Sequence, residues 1–128
     1  MTKSAILFLC PHGGAKSVMA AAYFNRVAEE RGLPFVATAA AAEDPYDAVP
    51  EPVADLLQAE GVDVHAFRPR RVEAGEKSAA AKVVAIGCDL PGVEQWNDVP
   101  PASEDLDGSA SAIRRHVAAL AEELGGRR

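Results

Sequence analysis

The chain has 128 residues, 48% hydrophobic and 25% charged, which suits one soluble globular domain spanning residues 1–128. Only 5% of residues are aromatic, so Ala, Val and Leu must fill most of the core. The net charge of −6 argues against nucleic acid as a main partner, which needs clustered Lys and Arg, and no run reaches the ~18 apolar residues of a membrane span.

In chain order, residues 4–9 read as an apolar strand of the kind buried on both faces of a parallel sheet. Met1 to Cys10 is basic and then apolar, but its apolar part is too short for a signal sequence. A Gly pair follows, and Ser17 to Arg31 reads as a helix: Val18, Ala21, Ala22, Val27 and Ala28 recur near helical spacing and Gly32 stands at the C-terminal cap. Pro34 to Thr38 reads as a second strand, followed by an Ala-rich segment to Ala42 and a polar loop from Glu43 to Asp47. Pro50-Glu-Pro52 opens a helix carrying Val53, Leu56, Leu57 and Glu60, which Gly61 stops.

Val62 to Phe67 fits either strand or loop, and Ala79 to Lys82 reads as the close of a brief helix. Val83 to Ile86 is a buried strand ending in Gly87-Cys88, and Val93 to Trp96 reads as the last strand. Ser103-Glu-Asp105 carries helix-start chemistry, Ile113, Val117, Leu120 and Leu124 form a helical stripe, and Gly125-Gly126 ends it. Strands separated by helices predict an α/β fold with a parallel sheet covered on both faces. Ligands in such folds sit outside the C-terminal strand ends, where both Cys10 and Cys88 fall.

Two cysteines allow at most one bridge, and reduced thiols in the cytoplasm are the expected state. Cys10 begins the stretch Cys-Pro-His-Gly-Gly-Ala-Lys-Ser17. A loop between a strand and a helix N-terminus gathers N–H groups at the positive end of the helix dipole, a site for an oxyanion. Gly13 and Gly14 permit the positive φ angles that turn amides inward, Lys16 adds a full charge, and the Ser17 hydroxyl can donate to a thiolate at Cys10. His12, Gly13, Gly14, Ala15 and Lys16 are therefore the candidate oxyanion binders, and Cys10 the nucleophile. His12 either donates to the oxyanion or faces solvent, and Tyr46 either rims the pocket or packs. His65 and His116 lack metal-ligand spacing, and no metal site is expected. Arg68-Pro-Arg-Arg71 reads first as a solvated turn and second as an anion-attracting rim.

This Cys-x5-Lys-Ser stretch resembles the Cys-x5-Arg-Ser loop of the low-molecular-weight protein tyrosine phosphatase superfamily. Ser17-Val-Met-Ala20 is similar to the following helix in the arsenate reductase branch of that family, and Ala37-Thr-Ala-Ala40, Gly61-Val-Asp-Val64 with Arg68-Pro69, and Val83 to Cys88 extend the likeness. The resemblance implies a three-layer, flavodoxin-like four-stranded parallel sheet of order 2-1-3-4, and a cysteine-dependent phosphatase or arsenate reductase. It implies no cofactor beyond an external thiol reductant such as mycothiol or a redoxin. Its partners would be phosphate, arsenate or a phosphorylated substrate, and the chain would be a monomer or weak homodimer. Cys88 stands where the reductases carry a redox cysteine, and Trp96 precedes the loop that carries the family's general-acid Asp.

Several positions depart from that pattern. Lys16 replaces the loop Arg, exchanging a planar bidentate fork for a point charge. Gly13 replaces the usual Asn that braces the loop, and Pro100-Pro101 occupies the place of the acidic Asp-Pro pair. Asp98, two residues earlier, is either a displaced acid or a solvated carboxylate. Cys88 has no second cysteine after it, so a three-thiol relay within one chain is impossible. Two readings stand: an enzyme using Cys10, Lys16, Ser17 and Asp98, or a catalytically weak or inactive relative that binds phosphate or a phosphorylated partner, or senses redox state through its thiol.

Overall fold

A computed structural model describes residues 3–125. Its elements are β1 (Ser4–Cys10), α1 (Lys16–Arg31), β2 (Phe35–Ala41), α2 (Glu51–Ala59), α3 (Glu76–Ala79), β3 (Lys82–Ile86), β4 (Glu94–Trp96) and α4 (Leu106–Gly125). The four strands form one sheet in the order β2-β1-β3-β4, all neighbours parallel. This is the flavodoxin-like order expected from the sequence resemblance.

Alternation along β1 divides the core. Ile6 and Phe8 point to the face covered by α1, α2 and α4, and Leu7 and Leu9 to the opposite face. The first face holds the larger cluster, with Met19, Phe24, Leu57, Val84, Ile113 and Val117 all buried. Phe8 sits between Phe24 and Trp96, with ring centroids 6.2 and 5.5 Å away. The second face is thin: Leu7, Leu9 and Ala40 pack with the neighbouring Val83 of β3 and with Val72, Ala80 and Leu90. Truncating a buried Phe such as Phe8 costs about 3–5 kcal/mol, so the aromatic trio anchors the sheet at its middle.

Several bounds differ from the sequence expectation. Strand β2 runs on through Ala39 to Ala41, where the sequence reading ended the strand at Thr38. Alanine favours helix in isolation, but here these residues pair with Phe8, Leu9 and Cys10 of β1, and that pairing overrides propensity. Residues 62–67 form no strand. The brief helix lies at Glu76–Ala79 rather than Ala79 to Lys82, because Lys82 is already paired to Ile6 as the first residue of β3. Helix α1 buries Met19, Ala20, Tyr23 and Phe24 as well as Val18 and Ala28, a wider face than the sequence spacing suggested, because it packs on both the sheet and α4. Helix α4 starts after Asp105, whose Oδ1 accepts the Gly108 N–H at 2.9 Å. Gly126 lies outside the described residues.

At the C-terminus of α1, Gly32 adopts φ 66° and the Leu33 N–H reaches back to the Ala28 carbonyl at 2.8 Å. The Tyr23 hydroxyl then ties three helices, donating to Glu60 at 2.8 Å and accepting from Arg114 at 3.1 Å. Burial, reinforced by Glu60, pushes its pKa up to about 12.

Candidate active site

Cys10 is the last residue of β1 and is buried, at 3% exposed. Its Sγ lies 3.1 Å from the hydroxyl of Ser17, itself fully buried in the first turn of α1. With the thiol ionised, that hydroxyl becomes the donor and stabilises the thiolate. The loop between them is shaped by its two glycines. Gly13 has φ 65°, and a Cβ there would stand 2.7 Å from the Ala41 nitrogen, so a side chain is excluded both by conformation and by space. At Gly14 a Cβ would meet the Tyr46 ring at 2.6 Å.

Residues 42–46 run alongside the loop and consume its carbonyls. The N–H groups of Ala42, Glu43 and Tyr46 donate to the carbonyls of Cys10, Pro11 and His12 at 3.0, 2.9 and 3.0 Å. The N–H groups of His12, Gly13, Gly14 and Ala15, in contrast, donate to no backbone carbonyl among the described residues. With its acceptors turned outward and its donors free at the head of α1, the loop has the electrostatics of an oxyanion site. The 42–46 segment is in turn held by Arg71, which reaches Asp44 at 2.6 Å. Arg70 forks onto Glu76 at 2.9 and 2.6 Å, and that pairing holds the Glu76 carboxyl down at about 2. Charges of the basic run are thus used to brace the structure beside β2. The sequence offered no signal for this strap, because its partners are distant along the chain.

Cys10, His12, Ala15, Lys16 and Tyr46 line a cleft of about 350 Å³, closed on the other side by Pro50, Val53, Pro101, Ala102 and Ser103. A larger groove of about 540 Å³ runs between α1, β2 and residues 61–70, but is lined by neither cysteine nor imidazole. Lys16 extends past the loop so that its Nζ lies against Gly87, in the space a Cβ would occupy. Gly87 has φ 73° and is a site residue the sequence reading did not single out; the glycine directly after an apolar strand was the available signal. Cys88 follows it, half-buried, with its thiol 3.8 Å from the Leu9 carbonyl. Burial, and then the neighbouring Cys10, push the Cys88 thiol up, against a smaller opposing pull from Lys16. Both cysteines are free thiols.

Asp98 is not brought to the cleft. Its carboxylate is 2.7 Å from His116 Nε2 and 3.4 Å from Arg115, both on α4, and His116 stacks on Trp96 at 4.6 Å. The His116 hydrogen bond is the main reason the Asp98 carboxyl lies below its usual range. The expectation of a displaced acid at Asp98 therefore meets a carboxylate committed to another helix. His65 pairs with Asp63, also away from the loop. Among the described residues no group of three His, Cys, Asp or Glu could hold a metal.

Residues 5–89, more than half of the chain, match the family described as low molecular weight phosphotyrosine protein phosphatase. The chain belongs to that family. Its fold agrees: a low molecular weight protein tyrosine phosphatase from T. tengcongensis superposes with a TM-score of 0.82 at 18% identity, over 95% of this chain and 100% of that one. An arsenate reductase from Archaeoglobus fulgidus is 28% identical with a TM-score of 0.73, over 90% of this chain and 97% of that one. An arginine phosphatase from Geobacillus stearothermophilus gives 0.72 at 17% identity, over 96% and 94% of the two chains. A search of curated proteins finds no match. The low molecular weight phosphatase family and these neighbours indicate an enzyme of phosphatase or reductase type, and enzymes of the family use no cofactor.

Proposed function

We propose that the chain is a phosphatase that cleaves a phosphomonoester through a Cys10 phosphothiolate, working as a monomer or weak homodimer in the cytoplasm. The observation that carries this reading is the contact of Cys10 with Ser17 at 3.1 Å beside a loop whose Cys10, Pro11 and His12 carbonyls are hydrogen-bonded to residues 42–46. Cys10 Sγ attacks phosphorus in line with the leaving oxygen; the S–P bond forms as the P–O bond breaks, and water then releases phosphate and restores the thiolate. The amides of residues 12–15 and the Lys16 ammonium oppose the charge on the transferring oxygens. Lys16 offers one point charge where an Arg would hold two oxygens, so turnover is expected to be slower than an Arg-bearing loop allows.

A second reading, arsenate reduction, is favoured by the position of Cys88 against the Leu9 carbonyl, one residue before the nucleophile. In that case Cys10 would displace hydroxide from arsenate to form an S–As adduct. Attack of Cys88 or an external thiol on the Cys10 sulfur would then break the S–As bond and release arsenite, leaving a disulfide that a thiol such as mycothiol or a redoxin would reduce. The test is turnover of p-nitrophenyl phosphate, and of arsenate with and without added thiol, by wild type, Cys10→Ser and Cys88→Ser. Hydrolysis lost in Cys10→Ser and kept in Cys88→Ser supports the phosphatase. Thiol-dependent arsenate reduction without hydrolysis supports the reductase. Phosphate binding without either reaction leaves the inactive relative.

A further inference from the structure

We propose that His12 is the general acid of this site, donating its Nε2 proton to the leaving oxygen; this rests on the phosphatase reading. The cleft needs a proton donor because expelling an alkoxide or phenoxide is slow without one. No carboxylate lines it: Asp98 is held by His116 and Arg115, and Pro100-Pro101 stiffens the approach from that side. His12 is the one imidazole among the lining residues.

The ring is held in a working orientation. Its Nδ1 lies 2.8 Å from the Asp44 carbonyl, which can only accept, so Nδ1 carries a proton whenever that bond is made. Proton exchange is thereby assigned to Nε2, for which no protein partner exists among the described residues. Tyr46 stacks on the ring at 4.7 Å and 28°, and the Tyr46 N–H fixes the His12 carbonyl at 3.0 Å. The charged side chains around the ring are Lys16, in the same cleft as Cys10, and Asp44, whose carboxylate pairs with Arg71. The ring thus shares the cleft with the nucleophile, and no carboxylate lines that cleft.

In the first step Cys10 Sγ bonds to phosphorus, the electron pair of the breaking P–O bond goes to the leaving oxygen, and the Nε2 proton is transferred to that oxygen. In the second step neutral Nε2 takes a proton from the attacking water, the S–P bond breaks, and its electron pair returns to sulfur. The imidazolium and thiolate are both restored.

The experiment compares wild type with His12→Asn, whose amide can still donate to the Asp44 carbonyl, and His12→Gln, whose amide cannot titrate. Phenyl phosphate has a poor leaving group and p-nitrophenyl phosphate a good one. On phenyl phosphate both variants should lose about 10²–10⁴ in kcat, and on p-nitrophenyl phosphate far less. The alkaline limb of the wild-type pH profile on phenyl phosphate should vanish in both. Equal losses on the two substrates, or a retained alkaline limb, would overturn the assignment. A second readout does not need turnover: with ¹⁵N-histidine label, saturating vanadate should shift the His12 Nε2 resonance and leave Nδ1 protonated. Vanadate that binds without moving Nε2 refutes the acid alone, whereas vanadate that fails to bind refutes the phosphatase reading together with it.

Discussion

Two loops at the C-terminal edge of the sheet differ in how their chemistry is secured. The loop after β1, residues 11–15, is marked along the chain by a strand end, two glycines and a helix start, and in the fold those glycines leave space for the β2 backbone and the Tyr46 ring. In the segment after β4, residues 97–105, the Asp98 carboxylate goes where a partner waits, to His116 on α4. Backbone geometry dictated locally carries a function legibly in sequence. A side chain on a loop has a role only once its neighbours are known.

The most disruptive change to that contrast is Gly13→Ala. The new Cβ would clash with the Ala40–Ala41 backbone in a left-handed conformation, and unfolding in urea should show a loss of more than about 1 kcal/mol, with phosphate binding abolished. A variant as stable as wild type would show that the loop relaxes and that its shape is not locally imposed.

Lys16→Ala should fold normally but bind oxyanions weakly. Phosphate at a hundred-fold excess over its Kd stabilises a folded protein by about 2.7 kcal/mol, a rise in Tm on the order of 10 °C for a domain of this size. Thermal scans with and without phosphate should show most of that rise in wild type, less than half in Lys16→Ala, and at least the wild-type rise in Lys16→Arg. Equal shifts in all three would place the ion elsewhere.

Gly87→Ala sharpens the same point from outside the loop. Its methyl would occupy the place of the Lys16 ammonium, displacing the charge without deleting it. The phosphate-induced shift should fall between those of wild type and Lys16→Ala, and a shift equal to wild type would mean that Lys16 reaches the anion by another path.

The smallest effect is expected at Asp98→Asn, which should leave phosphate binding and turnover of both aryl phosphates unchanged. Its signature is in stability against pH. The Asp98 carboxyl lies below its usual range in the folded state, so its contribution is present above the ordinary carboxylate pKa and disappears as pH falls through the folded value. The difference in stability between wild type and Asp98→Asn, measured by urea titration, should therefore vanish in strong acid. A selective loss on phenyl phosphate would instead return Asp98 to the role of acid.

Sequence alone determined β1, the Cys10 to Ser17 loop, most of α1 and the parallel character of the sheet. These follow from an apolar run, a glycine pair, helical spacing and the alternation of strands with helices, all read from the order of residues along the chain. The resemblance supplied the family, which the match over residues 5–89 then established. Tertiary structure decided the rest. Ala39 to Ala41 became strand because Phe8, Leu9 and Cys10 lie beside them, some thirty residues earlier in the chain. His12 acquired a fixed ring only because Asp44 and Tyr46 are folded over it, and Lys16 found its place only because Gly87 has no side chain. The direction of Asp98 belongs to α4, 18 residues further on. Each of these outcomes depends on a partner whose identity is written in the sequence but whose nearness is not, because it arises only when the sheet and helices have packed.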